Sequence, residues 1–233
     1  MFLYVLNLGL TPYDVAWTLQ KRAAMARSAG TLDQDLLFLV QHPPVVTLGR
    51  STKPGNLLVT PEYLTSRGVE LRDVERGGDV TIHEPGQLVA YPIVNLKRHT
   101  QDLHWYLRQV EESVIVALRM FGLETVRVTG LTGVWREDVA GRRKLASIGV
   151  HARDWVTWHG VALNVSNDLS TFEHVVPCGI DQVEMSTVTR ECVRAGLREP
   201  SFDEVSAALA GGVASVFGLT LRDVAFREIE ALL

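Results

Sequence analysis

The residues that most restrict the fold are RGGDVTIHEPGQLVAYP, positions 76–92. Val80 and Ile82 alternate with polar neighbours, as apolar side chains do along a strand with one buried face. Pro85-Gly86 then breaks the run, and a second apolar run follows over 88–94. Read locally, this is a β-hairpin. Gly77 and Gly78 can take backbone angles closed to other residues and let a ligand approach the main chain. Arg76 and His83 bracket the first strand with a fixed charge and a titratable ring. Such a strand can wall a binding pocket. It can equally be an ordinary hairpin whose glycines only make turns, and nothing within the stretch separates the two readings.

The rest of the chain supplies strands in the same local way. An apolar N-terminal run reads as a first strand, and Thr11-Pro12 with Asp14 signals a helix whose inner face would carry Val15, Leu19 and Ala23 and which Gly30 would close. Runs at 36–40 and 45–48 flank Gln41-His42-Pro43-Pro44 and are expected to pair with each other. A loop over 50–56, a short helix from Thr60-Pro61 to near Gly68 and a strand over 69–74 lead into the central hairpin. Leu103, Tyr106, Leu107, Val110, Val114, Ala117, Leu118 and Phe121 recur at three and four, the period of an amphipathic helix. Strand-like pieces return at 124–128, 133–137, 145–151 and 155–165. A capping box at Ser201 and Glu204 starts a last helix through Phe217, and 219–229 can add a strand. Strands mostly follow strands, with helices before, between and after them. The expectation is therefore an α+β fold, residues 1–233 forming a single domain with a mixed central sheet flanked by helices.

Composition narrows the function. With 233 residues, 46% of them hydrophobic and 21% charged, the chain is expected to be globular. A formal charge of -4 gives no reason to expect nucleic acid, whose binders concentrate positive charge. The N-terminal run has no basic residues ahead of it, and the uncharged stretch 205–221 is too short and too weakly apolar to span a membrane, so a cytoplasmic protein is expected. Two cysteines, Cys178 and Cys192, are then read as free thiols, and no metal set has the required spacing. There is no GxxxxGK[ST] loop, no GxGxxG after a strand, no GxSxG elbow and no HExxH.

What chemistry remains centres on a cysteine and a lysine. Cys178 stands between Pro177, which fixes the chain before it, and Gly179, which frees the chain after it, so its thiol can be presented from a turn. A free thiol is mostly protonated at neutral pH and needs a cation or base beside it to act as a nucleophile. Lys144 opens an apolar strand, Leu145-Ala146-Ser147-Ile148-Gly149, which would draw its ammonium into a pocket while Arg142 and Arg143 stay in water. His159, ahead of Gly160-Val161-Ala162, is a possible auxiliary group lining the same pocket as His83. Cys192, beside Glu191, has no such framing. A small buried hydrophobe, a solubilising lysine and a structural histidine are the competing readings of these three residues.

In order and spacing, RGGDVTIHEPGQLVAYP, RRKLASIGV, WHGVALNV and VVPCGI resemble the signature segments of the octanoyltransferases of lipoate biosynthesis, over about residues 36–189. The resemblance implies the fold of the catalytic domain of biotin and lipoate protein ligases. It implies octanoyl transfer from acyl carrier protein to a lysine of lipoyl domains, those of 2-oxoacid dehydrogenase complexes and the glycine cleavage H protein, through a cysteine thioester and without metal or cofactor. Carried over by position, Cys178 is the nucleophile and Lys144 its partner. Substrate contacts fall on Arg76, Gly77, Gly78, Asp79, Val80, Thr81, Ile82 and His83, on Ser147, Ile148 and Gly149, and on Gly160, Val161 and Ala162. Members often have glutamine where Asp79 stands, tyrosine at Ile82 and glycine at Glu84; these departures bear on pocket shape and not on the dyad. Backbone N–H groups near Gly77, Gly78 or Gly149 would hold the oxyanion, and Lys97-Arg98 or Arg142-Arg143 would dock the acidic carrier. The alternatives are an ATP-dependent ligase of the same fold, a carrier-binding module without catalysis, and a cysteine hydrolase that releases octanoate to water.

Overall fold

The computed structural model describes residues 1–176 and 183–233. Strand β1 (Phe2–Leu10) is followed by helix α1 (Tyr13–Ala29), which Gly30 closes at φ 81°. The Thr11 hydroxyl does not cap this helix: it donates to the Leu8 carbonyl at 2.7 Å, and Pro12 occupies the cap position. The buried face of α1 also differs from expectation. It carries Tyr13, Ala16, Gln20, Ala23, Ala24 and Arg27, while Val15 is exposed. Small side chains let the helix lie close on the sheet, and its two long polar residues find buried partners. Arg27 meets Asp35 at 2.8 Å, and Gln20 Oε1 accepts the His159 N–H at 2.8 Å.

Strands β2 (Asp35–Gln41) and β3 (Val45–Leu48) do not pair with each other. The unbroken apolar run of β2 is buried on both faces, which places it inside a sheet between β1, to which it is parallel, and a later antiparallel strand. After Pro43-Pro44 the chain leaves that sheet. Strand β3 joins β4 (Glu70–Asp73) and β5 (Val80–His83) in a separate three-stranded sheet, with the short helix α2 (Pro61–Ser66) capped by Thr60 between them. Nor do β5 and β6 (Gln87–Ile93) form the expected hairpin. Strand β6 belongs to the large sheet, against β2 and the later β9, and the turn between β5 and β6 carries the chain across. Gly86 makes that turn at φ 88°, where a Cβ would come within 2.8 Å of the Asn167 backbone nitrogen.

Helix α3 (Leu103–Arg119) is capped by Asp102, whose carboxylate accepts from the His104 and Trp105 N–H groups. It is followed by β7 (Val134–Asp138), β8 (Gly141–Arg153) and β9 (Val156–Asn164). Residues 124–128 contribute only an isolated bridge, Val126 to Trp135. Beyond the undescribed stretch come β10 (Glu184–Met185), α4 (Val188–Arg194), α5 (Phe202–Phe217) with the Ser201/Glu204 capping box, β11 (Thr220–Asp223) and α6 (Phe226–Glu230). The final segment is thus a strand plus a helix.

The large sheet runs β10-β8-β9-β6-β2-β1-β11, with β7 paired to β8. It is mixed, since β1 is parallel to β2 and β11 while β2, β6, β9 and β8 alternate in direction. One face packs on α3 and α5, and the other on α1 and α6. Helices α3 and α5 touch through Gly212, where a Cβ would strike the Ser113 carbonyl. This is the mixed, helix-flanked α+β arrangement expected from the sequence. Among the described residues no helix is long and apolar enough to cross a membrane.

Candidate active site

A cavity of about 600 Å³ opens where the small sheet meets β8 and β9. The loop between β4 and β5 is clamped to both sheets by backbone bonds. Gly77 N–H donates to the Val150 carbonyl at 2.9 Å, while Arg50 and Ser51 donate to the carbonyls of Arg76 and Gly78, each at 3.0 Å. Two glycines make room for it: a Cβ at Gly149 would meet the Gly77 carbonyl at 2.8 Å, and one at Gly49 would strike the Gly78 carbonyl. The Arg76 guanidinium, 6% exposed, grips the end of β3 through the Thr47 carbonyl at 2.7 Å and the Thr47 hydroxyl at 2.8 Å. The Gly77 N–H, one of the expected oxyanion donors, is thus already engaged.

Of the substrate contacts read from sequence, Arg76, Gly77, Gly78, Asp79, Val80, Thr81, His83, Ser147, Ile148, Gly149, Gly160, Val161 and Ala162 line this cavity, as does His159. Ile82 does not: it is fully buried in the small-sheet core with Val46 and Val80. Gly160 has a packing reason as well, since a Cβ there would strike the Ala90 carbonyl and approach the Pro92 ring at 2.7 Å. Sequence reasoning missed Tyr13 from α1, Val89 and Tyr91 from β6, Leu103 and Leu107 from α3, and Gly130, Leu131 and Thr132 from the loop before β7. Leu103 and Leu107 did carry a signal. They belong to the apolar stripe of α3 yet sit apart from the fully buried line of Tyr106, Val110 and Val114.

One end of the cavity is polar and its side chains are buried. His42 Nδ1 lies 2.7 Å from the Thr11 carbonyl, which can only accept, so Nδ1 carries the proton and Nε2 accepts from the Tyr91 hydroxyl at 2.8 Å. Burial pushes His42 down to about 4 and raises both Tyr13 and Tyr91, so all three are neutral near pH 7. His83 stacks on Tyr13 at 5.8 Å between centroids and meets His42 edge-on at 5.6 Å; burial, then the neighbouring His42, hold it well below the usual histidine value. His159 sits at φ 57°, a left-handed angle that costs a non-glycine residue about 1 kcal/mol or more. Its Nε2 is 3.7 Å from Glu75, an ion-pair distance too long for a hydrogen bond. Burial disfavours the Glu75 charge, but His159 and the indole N–H groups of Trp158 (2.7 Å) and Trp17 (3.1 Å) hold that carboxyl well below the carboxylate range.

Lys144 is fully buried, its Nζ 5.1 Å from the centre of the Trp135 ring. Gly133, at φ 128°, clears its path: a Cβ there would lie 2.7 Å from Lys144 Cε. The Gly133 N–H is in turn fixed by buried Glu111 at 3.0 Å. Lys144 is not among the residues that line the cavity; it packs against Gly133, the chain neighbour of Thr132, which does. Arg142 is exposed as expected, but Arg143 is not. It is 1% exposed, and forks onto Glu191 at 2.8 and 2.9 Å and onto Asp138 at 2.6 Å. With four carboxylate oxygens in reach, its charge is satisfied without water.

Cys178 lies outside the described residues. Its flanks are described: the Val176 N–H donates to the Asn56 carbonyl at 2.8 Å, Val175 bridges Leu57, and Glu184 and Met185 pair with Arg143 and Lys144. Asn56 also holds Asp79 through its side-chain amide at 2.6 Å. The residues before and after 177–182 thus reach the cavity wall on one side and Lys144 on the other. Cys192 is free and fully buried in the core under α3 and α5, and burial, with Glu199 and Glu191 nearby, raises its thiol. Among the described residues no group of histidine, cysteine and carboxylate side chains is arranged to hold a metal.

Residues 12–214 match the lipoyl protein ligase A/B catalytic domain. An octanoyltransferase from Chloroflexus aggregans is 44% identical over 93% of this chain and 96% of its own length. One from Thermosynechococcus vestitus is 40% identical over 95% and 93%. Solved structures share the fold at low identity. A bipartite lipoate protein ligase from Thermoplasma acidophilum superposes with a TM-score of 0.76 at 22% identity, covering 100% of this chain and 90% of that one. A biotin protein ligase from Leishmania major superposes at 0.53 and 10%, over 94% and 76%. With near-complete coverage at these identities, and with the matching segments gathered around one cavity, the chain belongs to the octanoyltransferase family within the lipoyl protein ligase A/B catalytic-domain fold.

Proposed function

We propose that this chain, acting as one catalytic domain in the cytoplasm, transfers octanoyl from acyl carrier protein to a lysine of lipoyl domains in two covalent steps. The Cys178 thiolate attacks the thioester carbonyl of octanoyl-acyl carrier protein, the carrier thiol leaves, and the acyl group rests on the enzyme as a new thioester. The acceptor amine then displaces the Cys178 sulfur. Lys144 stabilises the thiolate and moves protons, with His83 as a second candidate for the proton shed by the amine. Gly78 or Gly149 supplies N–H groups to the oxyanion. The thioester arrives activated, so the reading invokes neither metal nor nucleotide. Lipoyl domains of 2-oxoacid dehydrogenase complexes and the glycine cleavage H protein are the acceptors in this reading.

The observation that carries it is the convergence of three separated sequence segments, 76–83, 147–149 and 160–162, on one largely apolar cavity. An eight-carbon chain needs such a wall, and acyl transfer needs water kept out. The test is transfer from octanoyl-acyl carrier protein to a lipoyl domain, with and without ATP, followed by intact mass of both proteins. Octanoylation of the acceptor without ATP is expected. A strict ATP requirement would move the chain to the ligases, and free octanoate with an unmodified acceptor would make it a hydrolase.

A further inference from the structure

Gln87 begins β6 at 1% exposure, and its amide can be oriented in only one way. Its Nε2 sits 3.0 Å from the Ile82 carbonyl and 2.9 Å from Asn164 Oδ1. The Ile82 carbonyl can only accept, so the group facing it must be the NH2. Asn164 agrees: its own Nδ2 donates to the Ser186 carbonyl at 3.2 Å, and its Oδ1 also receives Asn167 Nδ2 at 3.3 Å. A flipped Gln87 amide would set oxygen against the Ile82 carbonyl inside the protein. Gln87 Oε1 is therefore the atom that faces His83 Nδ1 at 2.8 Å, and it can only accept. The His83 proton must sit on Nδ1, which leaves the Nε2 lone pair as the free nitrogen of a ring that lines the cavity.

Resting on the two-step reading above, we propose that His83 Nε2 is the proton acceptor of the second step and that Gln87 is the positioning residue that fixes its tautomer. The acceptor enters as a free amine, having left its first proton in water. As its nitrogen bonds to the thioester carbon and the C–S bond breaks, the amine proton passes to His83 Nε2. The sulfur departs as the thiolate and the proton leaves Nε2 for solvent, which returns neutral histidine, a thiolate and an amide. The groups around the ring suit a neutral base. Tyr13 and His42 face it and stay uncharged, and the Arg76 charge and His159 both disfavour a protonated ring. The low basicity of His83 keeps it unprotonated before the amine arrives and quick to release the proton afterwards.

The experiment separates the two steps and reads the tautomer directly. Long-range 1H–15N spectra of histidine-labelled enzyme, with His83→Asn for assignment, are expected to show a protonated Nδ1 and a bare Nε2 at pH 7. In single turnover, His83→Asn is expected to accumulate acyl-enzyme yet transfer it to a lipoyl domain about 10²-fold or more slowly. Gln87→Met removes the acceptor, and is expected to lose the Nδ1–H signal and slow transfer roughly tenfold or more while acyl-enzyme still forms. A wild-type ring protonated on Nε2, or Gln87→Met losing both steps together, would overturn the proposal. If the wild type forms no acyl-enzyme at all, the two-step reading fails instead, and the tautomer result still stands.

Discussion

The Arg143 guanidinium and the Glu191 carboxylate form a two-bond fork, Nε–Oε1 2.8 Å and Nη2–Oε2 2.9 Å, with both side chains 1% exposed. The fork ties α4 to β8 one residue before Lys144. Ser186 and Arg194 also bond Glu191, at 2.6 and 2.8 Å, so the carboxylate is saturated. Removing one partner strands a charge in the interior. Arg143→Met is expected to cost about 3–5 kcal/mol in urea denaturation. Arg142→Met, which breaks only a half-exposed pair with Glu137, should stay within about 0.5 kcal/mol of wild type.

This pair also bears on what the sequence could tell. Arg142 and Arg143 are adjacent and identical in type, and only the partner 48 residues downstream separates a wet arginine from a buried one. The strand Val80–His83 shows a related limit of patterning. Thr81 and His83, on its polar face, are 7% and 5% exposed because that side faces the cavity. Polar residues on a cavity wall and on an exposed face alternate identically, so period-two patterning cannot distinguish them. The pairing partner of each strand was equally hidden. Nothing local in Pro85-Gly86 says that the chain changes sheets; that follows from the Asn167 backbone packed against Gly86. Helices α1, α2, α3 and α5, the capping box and most strands of the large sheet were legible because each is dictated by neighbours in sequence, whereas α4, α6 and β10 were not foreseen. Tyr13, Tyr91 and Leu107 reach the cavity only through the tertiary fold.

Stability should fall in mild acid before carboxylates matter. His42 is held down to about 4 in the folded protein against 6.5 as its ordinary value, so the unfolded chain binds the extra proton between those limits. Its contribution is complete above about pH 6.5 and is lost as pH falls to about 4, on the order of 3 kcal/mol in all. His83 and His159 are shifted the same way, by burial first, and add to the same slope. Glu191, whose carboxyl is lowered by Arg143 and Ser186 against the cost of burial, loses its contribution only at lower pH, below the ordinary carboxylate range. Urea midpoints measured from pH 7.5 to 4.5 should decline steadily across pH 6.5 to 4.5. A flat profile over that window would show that these rings are not buried neutral.

Under the proposed reading, carrier docking by a basic patch is expected at Lys97 and Arg98. Arg143 is internal, and Arg142 is already paired with Glu137 at 2.7 Å, whereas Lys97 and Arg98 are both exposed beyond β6. An enzyme of net charge -4 needs a local positive field to attract an acidic carrier. Lys97→Glu with Arg98→Glu should lower the second-order rate with octanoyl-acyl carrier protein several-fold at low salt, and the difference should shrink by 0.5 M salt as screening takes over. An unchanged rate at low salt assigns docking to another surface.

The acyl group should be carried by Cys178 and not by Cys192. Cys192 is fully buried among the apolar side chains of α3 and α5, and its thiol is raised by burial, then by Glu199 and Glu191, so it is both inaccessible and protonated. Cys178 is framed by Pro177 and Gly179, and the residues on either side of that stretch pair toward Asn56 and Lys144. Incubated with octanoyl-acyl carrier protein and no acceptor, the enzyme should gain one octanoyl mass that hydroxylamine removes. Cys178→Ser should lose the adduct and nearly all transfer, while Cys192→Ser should retain both. Lys144→Ala should form the adduct about 10²-fold more slowly, with the rate rising at higher pH than in wild type, because the thiol would have lost the cation that favours its thiolate. Full transfer by Cys178→Ser would remove the covalent step altogether, and an unshifted pH profile in Lys144→Ala would leave thiolate formation to some other group.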